Sequence, residues 1–174
     1  MKYFSIIFIT LWIFLSSCTK VFFEEPQPAG KKNLSSIPGK VQGLYLSNSG
    51  DSVLRIHKNN ITSYLDSGRQ LKFKINNDFL IRKLDGDFYI NVKDRDNSYW
   101  MVLLFTYKKG KLFVKYPVQN SEIVDKYHAI TEIEIKTNNI LKTNEYILNP
   151  CRKELKELLK TDFFESRDTL IKAR

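Results

Sequence analysis

The side chains best suited to chemistry are few: two thiols, Cys18 and Cys151, and two imidazoles, His57 and His128, in a chain of 174 residues. A thiol can serve as nucleophile, acyl acceptor or metal ligand, and an imidazole as general base or metal ligand. Neither histidine stands in a metal spacing such as His-x-x-x-His, and no nucleophile elbow accompanies them. Asp94-Arg95-Asp96-Asn97-Ser98 starts like a calcium loop, with oxygen ligands at positions one, three and five. Position six is then Tyr99, where such a loop needs glycine, and position twelve is Phe105, where it needs a bidentate glutamate. Together with Asp85-Gly86-Asp87 the segment offers a loose cation site at most; the plainer reading is two polar hairpin turns. The seven glycines are scattered singly, so there is no phosphate-cradling loop, and no pair of carboxylates is singled out for glycoside hydrolysis. These residues predict no catalytic group, no metal site and no cofactor.

The thiol at Cys18 stands apart because of what precedes it. Phe4 to Leu15 is apolar except for Ser5 and Thr10, and Lys2 lies in front. The run is shorter than the about 20 residues of a spanning helix. It fits the apolar core of a secretory signal better than a buried helix of the fold, since it shows no amphipathic period. Leu15-Ser16-Ser17-Cys18 resembles the bacterial lipobox: a branched apolar residue, two small residues that let a peptidase reach the bond, then cysteine. The resemblance covers residues 1–18. It implies that residues 1–17 are a signal peptide, that the Cys18 sulfur takes a diacylglycerol, and that the new amine is acylated. It also implies a protein of the bacterial cell envelope, anchored to a membrane by lipid and facing the periplasm or the exterior. Each buried methylene contributes about 0.8 kcal/mol, so two or three chains on one cysteine hold firmly where one holds marginally.

Residues 18–174 are one domain's worth of chain, long enough to bury a core without staples. With Cys18 acylated, Cys151 has no disulfide partner and reads as a small packed hydrophobe. Formal net charge is +9, and residues 53–115 hold thirteen Lys or Arg against six Asp. Such a surface attracts phosphate, anionic lipid or acidic glycan. The lysines alternate with apolar residues, as in Leu71-Lys72-Phe73-Lys74-Ile75, which reads as the solvated faces of strands. No nucleic-acid recognition motif is visible.

Residues 18–40, broken by Pro26, Pro28, Gly30, Pro38 and Gly39, predict a lipidated N-terminus and flexible tether with a reach of roughly 25 Å. Phe22 and Phe23 sit oddly in a tether and would lie on the bilayer or pack on the domain. The acidic pair Glu24-Glu25 that follows resembles the surface-export signals of Bacteroidetes-type lipoproteins, though it comes later in the chain. From Val41 to Arg174 the pattern becomes a single β-rich domain: short apolar runs about ten residues apart, separated by turn residues. Strands are predicted near 43–46, 52–57, 61–65, 70–75, 79–84, 88–93, 99–107, 111–118, 130–135 and 140–148. Asn59-Asn60, Asn76-Asn77, Asp85-Gly86 and Asn138-Asn139 tolerate the left-handed backbone of tight hairpins, and Gly110 separates two strong strands. Tyr99 to Tyr107 is apolar on both faces and therefore needs cover on both.

The predicted cover is a C-terminal helix over 149–160, capped by Asn149 with Pro150 in its first turn. Cys151, Leu155, Leu158 and Leu159 would share its apolar face. A second short helix is expected near Ser121 to Ile130, with Ile123, Tyr127 and Ile130 on one stripe. Thr169 to Ala173 would return as a last edge strand. Gly43-Leu44-Tyr45 resembles the Gly-x-Trp that opens lipocalin-like barrels, with Tyr in place of Trp, and the late helix is similar in outline. The fold predicted is mainly β, an antiparallel meander forming a barrel or strongly curved sheet with the C-terminal helix packed on it. The chain resembles the small β-rich lipoproteins of Bacteroidetes-type envelopes. The expected role is a non-catalytic binding or assembly component. The alternatives are a lipocalin-like carrier of a small apolar ligand and, third, an envelope hydrolase. Its partners would be the membrane, through the anchor, and an envelope protein or small apolar ligand.

Overall fold

A computed structural model describes residues 19–47, 53–64, 69–120, 122–138 and 143–173. The signal segment and Cys18 lie outside the described residues, as does the Asn139 half of one predicted turn. The chain is mainly β. Twelve strands form one mixed sheet: β1 (Lys20–Phe23), β2 (Gly43–Ser47), β3 (Val53–Ile56), β4 (Asn60–Tyr64), β5 (Gln70–Lys74), β6 (Phe79–Leu84), β7 (Asp87–Lys93), β8 (Trp100–Lys108), β9 (Lys111–Pro117), β10 (Ile133–Asn138), β11 (Thr143–Leu148) and β12 (Phe164–Lys172). The described residues also form two short helices, α1 (Ile123–Tyr127) and α2 (Arg152–Leu158), and a 3-10 turn at Gly39–Val41.

Nine strands run antiparallel in the order β6-β7-β8-β9-β12-β2-β3-β4-β5. Alternate residues of these strands point to one shared face. Their inward residues meet: Tyr45, Ile56, Ile61, Phe79, Ile90, Phe105, Leu112 and Leu170 belong to one cluster drawn from β2, β3, β4, β6, β7, β8, β9 and β12. The two end strands carry no ladder to each other among the described residues, yet Phe73 of β5 stacks on Phe79 of β6 at 5.4 Å between ring centres. Consecutive hairpins account for most of this order. The exception is β12, which enters between β9 and β2 instead of lying at an edge, and is nine residues long where five were expected.

A second cluster lies on the other face of β7 and β8. It gathers Tyr89, Trp100, Val102 and Leu104 with Ile123 and Tyr127 of α1, Leu155 and Leu158 of α2, and Phe163. This explains why β8 is apolar on both faces. Leu103 and Phe105 belong to the first cluster, and Val102 and Leu104 to the second. Lys156 of α2 reaches Asp85 in the β6–β7 turn at 2.7 Å, holding that carboxyl below its ordinary range.

The flexible tether is corrected. Lys20–Phe23 is a strand, paired in parallel with β11 from Lys20↔Glu145 to Phe23↔Leu148, and touching β8 at Trp100. Val21, Phe22 and Phe23 are buried, and the Phe163 ring meets Phe23 edge-on at 6.3 Å. Beyond β1 the chain is strapped over β6 and β7. The Asn91 side chain accepts from the Gln27 backbone N–H at 2.6 Å and donates to the Gln27 carbonyl at 2.8 Å. The Arg82 guanidinium donates to the carbonyls of Pro26 and Pro28 and to the Asn33 side chain. Residues 34–37 then bridge the unladdered gap: Leu34 N–H donates to Ile81 of β6, and Ile37 N–H to Lys58 in the β3–β4 turn. The Pro and Gly residues of this segment end regular structure without freeing the chain, because its backbone groups are satisfied by fixed side chains and strand edges.

Three smaller expectations also change. The last helix spans Arg152–Leu158, with Cys151 as its N-cap; the Cys151 N–H donates to the Glu154 carboxylate at 2.9 Å. Cys151 is exposed, not packed. The hairpin-turn residues with left-handed backbone are Asp85-Gly86, Ser98 and Lys109-Gly110. Asn76 instead accepts from the N–H groups of Asp78 and Phe79, an Asx-type turn that needs no positive φ.

Candidate functional site

The residues singled out for chemistry do not converge. His57 follows β3 and faces outward beside Arg55 and Lys58, while His128 ends α1 with its Nδ1 2.7 Å from the Val124 carbonyl. Among the described residues, no three His, Cys, Asp or Glu side chains come close enough to hold a metal ion. Asp94–Ser98 and Asp85–Asp87 are polar turns, Asp85 being engaged by Lys156.

The concave feature lies inside the curved sheet. One end is filled. Ile37 and Val41, carried by the strap and the 3-10 turn, reach Ile56, Ile81, Phe88 and Leu112, and only about 10 Å³ of free space remains there. That is at most one water's worth of room. Tyr45 seals this end, fully buried, its hydroxyl donating to the Val41 carbonyl at 2.9 Å. Burial, and second the neighbouring Tyr107 phenol, push the Tyr45 pKa up to about 12. The Lys172 ammonium sits 6.0 Å from the Tyr45 ring centre and donates to the Lys40 carbonyl. Gly43, with φ +147°, lets β2 begin here; a Cβ would come within 2.5 Å of Lys172 Cε.

Towards the other end the interior opens into a cavity of about 300 Å³. Its walls come from β3, β4, β5, β6, β7, β8, β9 and β12, and aromatic and branched side chains dominate them: Ile61, Phe73, Phe79, Ile90, Phe105 and Val114. Val53 and Leu71 also line it, and Leu71 is 41% exposed. Among the described residues, Ser63, Tyr116 and Asp168 are the polar groups that share the lining. A cavity of this size and polarity fits a small organic molecule: apolar walls supply the affinity and a few polar groups fix its orientation.

Two solvent-filled depressions flank it. A groove of about 470 Å³ along the β5–β6 gap shares Phe73, Phe79 and Val92 with the cavity and carries Lys72, Lys93 and Arg95 alongside Asp78 and Asp94. On the outer face of β3–β5, Arg55, His57, Lys58 and Lys72 line a shallow polar surface without a carboxylate, and the Arg55 guanidinium lies 5.9 Å from the Tyr64 ring centre.

The cavity was not visible as a set of residues in the sequence. Its lining comes from eight strands, and only the tertiary fold brings them together. Asp168 carried one usable signal, a carboxylate where the alternation of β12 calls for an apolar residue. Comparison with protein-family models, with curated proteins and with solved structures finds no match to this chain.

Proposed function

We propose that the protein is a lipid-anchored envelope component whose curved sheet acts as a small barrel and holds a small apolar ligand. The single observation that carries this reading is the apolar cavity of about 300 Å³ within the sheet. An assembly protein would call for a filled interior and one contiguous exposed apolar patch. Here the large exposed apolar residues are spread over β2, β5, β8, β10 and β12, and only Leu46 and Ile171 are cross-strand neighbours. A hydrolase would need acidic or histidine side chains converging in the cleft. Among the described residues, Asp168 is the one such group on the cavity wall. The barrel in this proposal is sealed at one end by Tyr45 and Val41, bridged along its gap by residues 34–37, and covered on the β7–β8 side by α1 and α2. Cys18 anchors it, so the ligand would be taken up or released beside a bilayer.

The test is uptake of a neutral apolar dye, N-phenyl-1-naphthylamine, by the full chain in phosphatidylcholine nanodiscs. A Ser63→Trp chain, whose indole would occupy the cavity, serves as the blank for dye that partitions into lipid. Saturable fluorescence above this blank is expected. Equal signals from the two folded chains would refute the carrier reading.

A further inference from the structure

The backbone of β12 is irregular at one place, and that irregularity puts a charge into the cavity. Against β9 the register runs Glu165↔Tyr116 and Ser166↔Lys115, then resumes at Asp168↔Val114 and Leu170↔Leu112, so one extra residue of β12 is accommodated between Ser166 and Asp168. A bulge of this kind shifts which face the following residues occupy. Before it, Phe164 belongs to the outer cluster with the helices; after it, Leu170 belongs to the inner cluster and Asp168 lines the cavity. A strand without the extra residue would turn Asp168 to the side of Phe164.

Among the described residues, Asp168 is the one charged side chain on this cavity's lining, and it is half-buried. Among the described residues, no hydrogen bond or ion pair engages its carboxylate. Its partial exposure leaves it open to solvent. An apolar molecule that fills the cavity strips away part of that solvent. Leaving a carboxylate without a partner in apolar surroundings is costly, whereas an opposite charge or a strong donor placed beside it offsets the cost. A carboxylate or phosphate head at the same place would add repulsion between like charges. The formal charge of +9 works the other way at long range, so any preference for a cation is local to this wall.

We propose that the cavity selects amphiphiles with an apolar body and an amine head, with Asp168 as the counter-charge. This rests on the carrier reading. The competing position for a head group is the groove along the β5–β6 gap, where Lys72, Lys93 and Arg95 stand with Asp78 and Asp94. Its charges are mixed, and they lie outside the apolar wall.

The test is displacement of N-phenyl-1-naphthylamine from the full chain in phosphatidylcholine nanodiscs by three ligands of equal chain length: octylammonium, octanol and octanoate. The Ser63→Trp chain again supplies the partition blank. A charge-assisted contact predicts that the ammonium competes about tenfold better than octanoate, with octanol between. In the isosteric Asp168→Asn chain the three should fall within about threefold of one another. Octanoate binding as well as the ammonium in the wild-type chain would overturn the amine preference. So would an ammonium preference that survives Asp168→Asn. Either result leaves the carrier reading standing, since dye must be bound for displacement to be seen. Absence of saturable dye binding refutes the carrier reading itself.

Discussion

Tyr45 shows how one phenol can serve two purposes at one end of the structure. Its ring closes the filled end of the sheet's interior, and its hydroxyl ties that end to the 3-10 turn through the Val41 carbonyl. Burial first, and Tyr107 second, raise its pKa from 10.0 to about 12. Below about pH 10 the folded and unfolded chains both keep this proton, and the neutral phenol's contribution to stability is intact. Between pH 10 and 12 the unfolded chain releases the proton while the folded chain holds it, so stability falls as pH rises and is lost through the folded pKa. The expected outcome is a melting temperature that declines over this window and declines less steeply in Tyr45→Phe, measured by circular dichroism. Parallel slopes for the two proteins would refute the assignment. Tyr89 and Tyr127 are also shifted upward, chiefly by burial, and Tyr127 further by donating to Asp162 at 2.6 Å, so a residual slope belongs to them. At this scale the sequence was a partial guide. The Gly43-Leu44-Tyr45 tripeptide pointed to the start of a first barrel-type strand. The burial of Tyr45 depends on a 3-10 turn whose Pro and Gly content reads as linker. Cys151 misled because helical spacing places it on the apolar face of α2, whereas it precedes the first helical residue and faces water.

Among the elements, strands with clean alternation were legible to within a few residues, from β2 through β9. Their inward and outward residues face different surroundings, and the chain spells that difference out every second position. β1 and β12 were not legible for opposite reasons. β1 has only four residues, and the prolines after it suggest an unstructured segment; its signal was Phe22-Phe23, two large rings with no reason to stay in water. β12 loses its alternation at the bulge between Ser166 and Asp168, so its first half reads as a charged loop. The strand nature of β1 has a direct consequence for stability. Phe23 is fully buried against Phe163, with Trp100 as its pairing partner on β8. Phe23→Ala should destabilise the domain by about 3–5 kcal/mol, as read by urea unfolding. A loss below about 0.5 kcal/mol, the size of a surface substitution, would mean that the segment is a tether after all.

At the scale of the whole molecule, the class was legible and the connectivity was not. Alternation and turn chemistry specify antiparallel strands, but nothing local says that the last strand inserts between β9 and β2 or that β1 pairs in parallel with β11. The cavity follows from that connectivity, which is why no run of neighbouring residues announces it. The proposed anchor lies at the opposite extreme, read entirely from residues 1–18. Cys18→Ala should abolish incorporation of a fatty-acid probe and move the protein from the membrane to the aqueous fraction; undiminished labelling would refute the anchor. The early start of β1 also fixes how such an anchored protein would behave. Lys20 is already paired with Glu145, so a lipid on Cys18 would have almost no leash. The domain would ride on the headgroups in a narrow range of tilts, with the β10–β11 hairpin end turned toward the lipid, and diffuse as a raft-like body in two dimensions instead of swinging above the surface.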